Sequence, residues 1–293
     1  MKNKCFFALL FFVGFAVFGQ IKGVVKDSVD GMPIPYVNIS VENENFATTS
    51  EENGEFKIHI SDKSKNLVFS ALGFERKIVS VYNAGEVRLK PTFFQLDEVI
   101  ISKRFGTRLK EIGESENAIL ETFDKAPRID IKFFSYLPEY KKTPFLRQVA
   151  IVTDNKIDEA TFKIRFYSVD ANGFPGAELL EKDFIVSVGR GVSKTKFNLS
   201  KFNLKMPKQG LFIAFEKLLI EKNKIERTIA NANSTAPQTK ITYYPFMLYN
   251  SVKKDFQFIF SNGKWIKKTN QDPENTSGKI QMYEPAITII LTN

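Results

Sequence analysis

Thr48-Thr49-Ser50-Glu51-Glu52-Asn53-Gly54-Glu55-Phe56 is the stretch on which the fold turns. Two β-branched residues enter it, Asn53-Gly54 breaks it, and Phe56 opens a run in which Phe56, Ile58 and Ile60 alternate with polar residues. Asn and Gly both tolerate positive φ, so the dipeptide is a strong short-range hairpin signal. A period of two places the three apolar side chains on one face of a strand. The expectation is antiparallel β structure.

The same pattern extends in both directions. Upstream, residues 21–26 read as a first strand, Asp30-Gly31-Met32-Pro33 turns the chain, and Val37, Ile39 and Val41 alternate with Asn38, Ser40 and Glu42. Downstream, residues 67–71, 77–81 and 86–89 read as further strands. Roughly seven strands in about 80 residues suit an antiparallel sandwich.

Four ordered blocks also carry a family resemblance. They are Gly23-Val24-Val25-Lys26-Asp27, then Pro33-Ile34-Pro35-Tyr36-Val37-Asn38-Ile39, then Thr48 to Phe56, then Leu67-Val68-Phe69-Ser70-Ala71-Leu72-Gly73-Phe74-Glu75. In this order they resemble the carboxypeptidase regulatory-like domain. The resemblance implies a transthyretin-like sandwich that serves as an accessory module on peptidases or in front of outer-membrane transporters. Leu96-Asp97-Glu98-Val99, continuing to Ile101, resembles the motif that closes this domain where a transporter plug begins. A plug does not follow here. A transporter barrel of roughly 22 strands needs about 220 residues before any turn, and 192 residues follow Ile101.

Composition sets the compartment. Lys2 and Lys4 precede an apolar run over residues 6–18, and Val17-Phe18-Gly19 ends on a small residue where a signal peptidase reads, so residues 1–19 are expected to be a signal peptide. The 13 apolar residues fall short of the ~20 that a spanning helix needs. No transmembrane segment is therefore expected in the mature chain, which is placed in the periplasm or at the outer membrane of a Gram-negative cell envelope. Cys5, the one cysteine, leaves with the signal, and disulfides, thiolate nucleophiles and Cys-ligated zinc leave with it. Residues 20–101 carry a net −3 and residues 102–293 a net +10. No nucleic-acid partner is expected for an exported protein, and scattered solvated lysines or anionic envelope polymers account for the basic half.

Residues 102–144 read as a linker. Ser115 is placed to cap a short helix running to Phe123, and Pro127 ends it. From residue 145 the period of two returns, with Phe162, Ile164 and Phe166 alternating with Lys163, Arg165 and Tyr167. Residues 184–188, 211–220, 256–260 and 286–292 supply further apolar strands. The fold class expected is all-β: a seven-stranded transthyretin-like sandwich over 20–101, a short helical linker, and a jelly-roll-like β-sandwich over 145–293. A small outer-membrane barrel is the competing architecture, weakened by charge clusters inside the strands.

Catalytic chemistry finds little support. His59 is the sole histidine and lies on the outward face of its strand, so a two-histidine zinc site cannot be built, and a Ser-His-Asp triad would have to recruit His59 with no nucleophile-elbow glycine pattern anywhere. Gly189-Arg190-Gly191-Val192-Ser193-Lys194-Thr195 lacks the Gly-Lys-Ser/Thr of a phosphate loop and reads as a connecting turn. Asp170-Ala171-Asn172-Gly173 reads as a plain turn rather than half a calcium loop. No cofactor is expected. Paired carboxylates for glycosidic cleavage stay open, since any two of 33 acids can meet in space. Trp265, the one tryptophan, with the adjacent Tyr243 and Tyr244 behind the polar Asn231-Ala232-Asn233-Ser234-Thr235 loop, forms a candidate ligand-binding set for a glycan. The leading expectation is an exported, non-catalytic envelope protein that binds or scaffolds. Carbohydrate recognition is the second reading, and a carboxylate glycoside hydrolase the third.

Overall fold

The computed structural model describes residues 19–62, 64–92, 106–115, 119, 129–229, 238–254, 256–261, 263–269 and 282–293. The apolar run of the expected signal peptide, the Leu96 to Ile101 seam, nearly all of the helix expected over 115–123 and the Asn231 to Thr235 loop lie outside these residues. The protein is all-β. Among the described residues no helix is long and apolar enough to cross a membrane.

The first domain has the seven strands expected of it: β1 (Gly19–Asp27), β2 (Asn38–Val41), β3 (Ala47–Thr49), β4 (Glu55–Ile60), β5 (Asn66–Ser70), β6 (Lys77–Ser80) and β7 (Glu86–Leu89). They form a three-stranded sheet, β4-β1-β7, facing a four-stranded one, β3-β2-β5-β6. Phe56, Ile58 and Ile60 from one sheet bury against Val37, Ile39, Val41, Leu67 and Phe69 from the other. Phe56 and Phe69 meet edge to face at 5.5 Å, and full burial of such side chains contributes about 1.5–3 kcal/mol each.

Two expectations change. The Asn53-Gly54 turn makes no hairpin, because β3 pairs with β2 while β4 pairs with β1 in the opposite sheet. Gly54 alone takes positive φ, +76°, and a Cβ there would lie 2.7 Å from the Val25 carbonyl oxygen. Asn53 instead accepts the Glu55 amide through its side chain at 3.0 Å, the geometry of an Asx turn. The sandwich is also not wholly antiparallel, since β7 returns from the second sheet and lies parallel to β1.

The second domain holds β8 (Leu109–Ile112), β9 (Ile129–Phe134), β10 (Phe145–Val169), β11 (Pro175–Glu178), β12 (Phe184–Asn198), β13 (Leu211–Lys217), β14 (Lys224–Ile229), β15 (Gln238–Tyr243), β16 (Phe246–Met247), β17 (Tyr249–Val252), β18 (Phe256–Ser261), β19 (Lys264–Thr269), β20 (Met282–Pro285) and β21 (Ile287–Thr292). Its ten-stranded sheet runs β19-β18-β9-β13-β10-β21-β8, with β11, β12 and β16 also on β10. β8 and β9, from the stretch read as linker, are members of this sheet.

β10 is one strand of 25 residues that runs unbroken through a polar middle. It bends at a bulge between Asn155 and Glu159, opposite Gly189 to Gly191 of β12. Asn155, fully buried, donates to the carbonyls of Ile157, Val188 and Gly189 at 2.9, 3.1 and 3.0 Å, replacing ladder bonds that the bulge breaks. The segment read as a Gly-Arg-Gly connecting turn is thus the middle of β12. Because of the bend, Leu146, Val149 and Ile151 share one core with Phe162, Ile164 and Phe166. β13 is buried on both faces, with Leu211, Ile213 and Phe215 in this core and Phe212 and Ala214 in a smaller cluster with Ile129, Ile131 and Tyr167.

Candidate functional site

The alternation in β10 sends Phe162, Ile164 and Phe166 into the main core and Lys163, Arg165 and Tyr167 to the opposite face. In an isolated strand that second face meets water. Here the first domain meets it at Lys163 through Tyr36 and at Glu216, the partner of Arg165, through Asn38, while Tyr167 packs among Ile129, Ile131, Phe212 and Phe258 of the second domain; Lys163, Arg165 and Tyr167 retain 0%, 8% and 7% of their exposure.

Buried charges require partners, and both domains supply them. The Lys163 ammonium donates to the Tyr36 carbonyl at 2.7 Å and pairs with Asp183 at 2.6 Å. Tyr36 adopts φ +54°, an uncommon conformation for a side chain of this size. Arg165 binds Glu216 through Nε and Glu178 through Nη1, with Asp183 4.0 Å from Nη2. The Asn38 amide donates to Glu216 at 3.3 Å, the Leu219 amide donates to the Thr49 hydroxyl at 3.1 Å, and the Glu221 amide donates to the Glu51 carboxylate at 2.9 Å. Leu72 packs against the core of the second domain. The first domain is therefore clamped to the second by polar groups that neither could bury alone.

The clamp sets the protonation of its acids. Burial pushes the Glu216 carboxyl up, but Arg165 and Lys163 reverse this and hold it below the usual carboxylate range. Burial raises Glu178 as well; Arg165 opposes that, and repulsion from Glu216 and Asp183 leaves Glu178 above its ordinary value. Burial disfavours charge on Arg165, yet the surrounding carboxylates hold its pKa well above the ordinary value. Burial likewise keeps the Tyr167 phenol protonated.

Beside the clamp lies a cleft of about 500 Å³ shared by the two domains. Its second-domain wall carries Arg165, Glu178 and Glu216 together with Tyr167, Phe260 and Trp265. Asn38, Ser40, Thr48 and Ser70 line it from the first domain. Trp265 meets Tyr167 edge to face at 5.7 Å and Phe260 at 4.9 Å. Of the aromatic set expected from sequence, Trp265 lines this cleft, while Tyr243 and Tyr244 are not among the residues that line it. Tyr243 is half-buried at the end of β15, and Tyr244 is 7% exposed in the main core against Phe246. His59 is exposed and within 3.2 Å of the Gln20 amide. Asp170 caps its own turn, accepting the amides of Asn172 and Phe174 at 2.8 Å each. Among the described residues no three His, Cys, Asp or Glu side chains are arranged to hold a metal ion.

Residues 21–101 match the CarboxypepD_reg-like domain family. The CarboxypepD_reg-like domain thus supplies the first-domain wall of the cleft. The chain is also 34% identical over 119 residues to the TonB-dependent receptor P3 of Formosa agariphila. That match covers 39% of this chain and 12% of the length of the receptor.

Proposed function

We propose that the protein is exported to the envelope of a Gram-negative bacterium, in the periplasm or at the outer membrane, and acts there by binding rather than by catalysis. The junction cleft is its ligand site. The observation that carries this reading is that two β domains, held by a buried ionic clamp, jointly line one cleft. The CarboxypepD_reg-like domain, an accessory module rather than an enzyme, and the TonB-dependent receptor relative support the envelope setting. Of the carboxylates that line the cleft, Glu178 and Glu216 are held by Arg165 and Glu44 is paired with Lys65, which favours a structural role over acid–base work. The division into a signal peptide (1–19), a first domain (20–101) and a second domain that takes in β8 and β9 from the stretch read as a connection (102–144) as well as residues 145–293 belongs to this proposal. So does Trp265 as a ligand-binding residue, whereas Tyr243 and Tyr244 sit away from this cleft.

Trp265 is the sole tryptophan, so its fluorescence reports on the cleft alone. Titration of the mature chain with saccharides, short peptides and lipid headgroups is expected to give a saturable emission change with one class. The folded variant Ala47→Phe, which fills the cleft from the first domain, is expected to abolish it. Silence across the panel overturns the cleft as a ligand site, and hydrolysis of a ligand that disappears in Glu178→Gln overturns the non-catalytic reading. Recovery of the full-length chain from the cytoplasm, with residues 1–19 intact by mass spectrometry, overturns export.

A further inference from the structure

We infer that the ligand of the junction cleft is a short saccharide bearing no anionic group, stacked on Trp265 and hydrogen-bonded from the CarboxypepD_reg-like domain. This rests on the cleft being the ligand site. Three observations carry the ligand class, and each concerns a different part of the cleft.

The first is size: about 500 Å³ lies within the range of small-molecule sites and is too small for a folded partner. The second is the pairing of lining chemistries. Tyr167 and Phe260 hold the indole edge to face from two sides, which fixes its orientation while leaving Trp265 half-buried. A pre-set aromatic face suits the C–H face of a sugar ring. Lining the same cleft from the first domain, Asn38, Ser40, Thr48 and Ser70 offer an amide and three hydroxyls, groups that both donate and accept, as sugar hydroxyls do.

The third is charge. Beside the cleft, Glu178, Glu216 and Asp183 outnumber Lys163 and Arg165, and the nitrogens of Arg165 all face carboxylates. Arg165 therefore keeps no fork for a ligand carboxylate, sulfate or phosphate, and Glu178, with 20% of its side chain exposed, opposes one. At the rim, Glu44 is paired with Lys65 at 2.8 Å and Lys217 lies over the Phe246 ring at 4.0 Å. Among the described residues that line the cleft, Arg76, exposed, and Lys217 are cations that an acidic sugar could recruit, so an acidic arm belongs in the test.

The experiment titrates the mature full-length chain with glucose-, mannose- and xylose-based trisaccharides, with a trigalacturonate and with uncharged tripeptides. Trp265 emission and calorimetry are read together. The expected result is saturable binding of at least one neutral trisaccharide, weakened about tenfold or more in Trp265→Ala by calorimetry. A several-fold loss is expected in the Ser40→Ala/Ser70→Ala double variant, whose melting temperature serves as the check on folding. Tighter binding of trigalacturonate, abolished by Arg76→Ala, overturns the ligand class. A response to tripeptides alone overturns the saccharide and leaves the cleft reading standing; no response to any probe removes both. Neutral-sugar binding unchanged in Trp265→Ala places the sugar elsewhere and also overturns the inference.

Discussion

Glu178 and Glu216 bind one guanidinium, and the pKa of each is displaced in the opposite direction. Glu216 lies below its ordinary value, so its contribution to stability is present above the unfolded-state pKa of ~4.3 and lost as pH falls through the lower folded value. Glu178 lies above its ordinary value, so its contribution is present below ~4.3 and lost as pH rises through the higher folded value. Glu216→Gln is therefore expected to cost about 3 kcal/mol at neutral pH, because Arg165 loses a buried partner, and to flatten the acid limb of the stability profile. Glu178→Gln is expected to gain on the wild type as pH rises from about 4 to about 7. Urea midpoints measured across that range check both signs. Local pattern reported the side of β10 on which Lys163 and Arg165 stand, but nothing within the strand reported that Asn38 and Tyr36, more than a hundred residues upstream, cover it.

Strands and their turns were legible wherever the signal is local. The stripe Phe56, Ile58 and Ile60 is buried as a period of two requires. Asn53-Gly54 was legible as a turn and not as a connection, since turn chemistry does not specify which sheet receives the next strand. Gly54→Ala combines positive φ with a 2.7 Å approach to Val25 and is expected to destabilise the first domain by about 1–3 kcal/mol in thermal unfolding. The unbroken course of β10 is not legible locally, because Asp154-Asn155-Lys156-Ile157-Asp158-Glu159 lacks apolar alternation and the bonds that Asn155 makes across the bulge reach Val188 and Gly189, distant in the chain. Asn155→Leu is expected to cost about 2–3 kcal/mol, as buried carbonyls lose their donors. Hydrogen exchange is expected to accelerate first around residues 156–158 and 189–191, where the bulge lies.

Across the whole molecule the clamp couples two cores that are otherwise separate. Calorimetry of the mature chain is expected to show one transition at neutral pH. Lys163→Met, which removes the bonds to Tyr36 and Asp183, is expected to split it into two, with the first domain uncoupled and the second destabilised by about 2 kcal/mol or more. The all-β class, the seven strands of the first domain and the apolar stripes of both domains follow from side-chain alternation and turn chemistry, which depend on a few neighbouring residues. The parallel placement of β7, the bend that closes one core around β10 and the burial of Lys163 and Arg165 depend on segments distant in the chain meeting in space. The same holds for the aromatic set: Trp265, Tyr243 and Tyr244 were equivalent as residue types. Packing turned Tyr244 into core and left Trp265 beside the CarboxypepD_reg-like domain, because exposure is a property of what covers a strand and not of the strand itself.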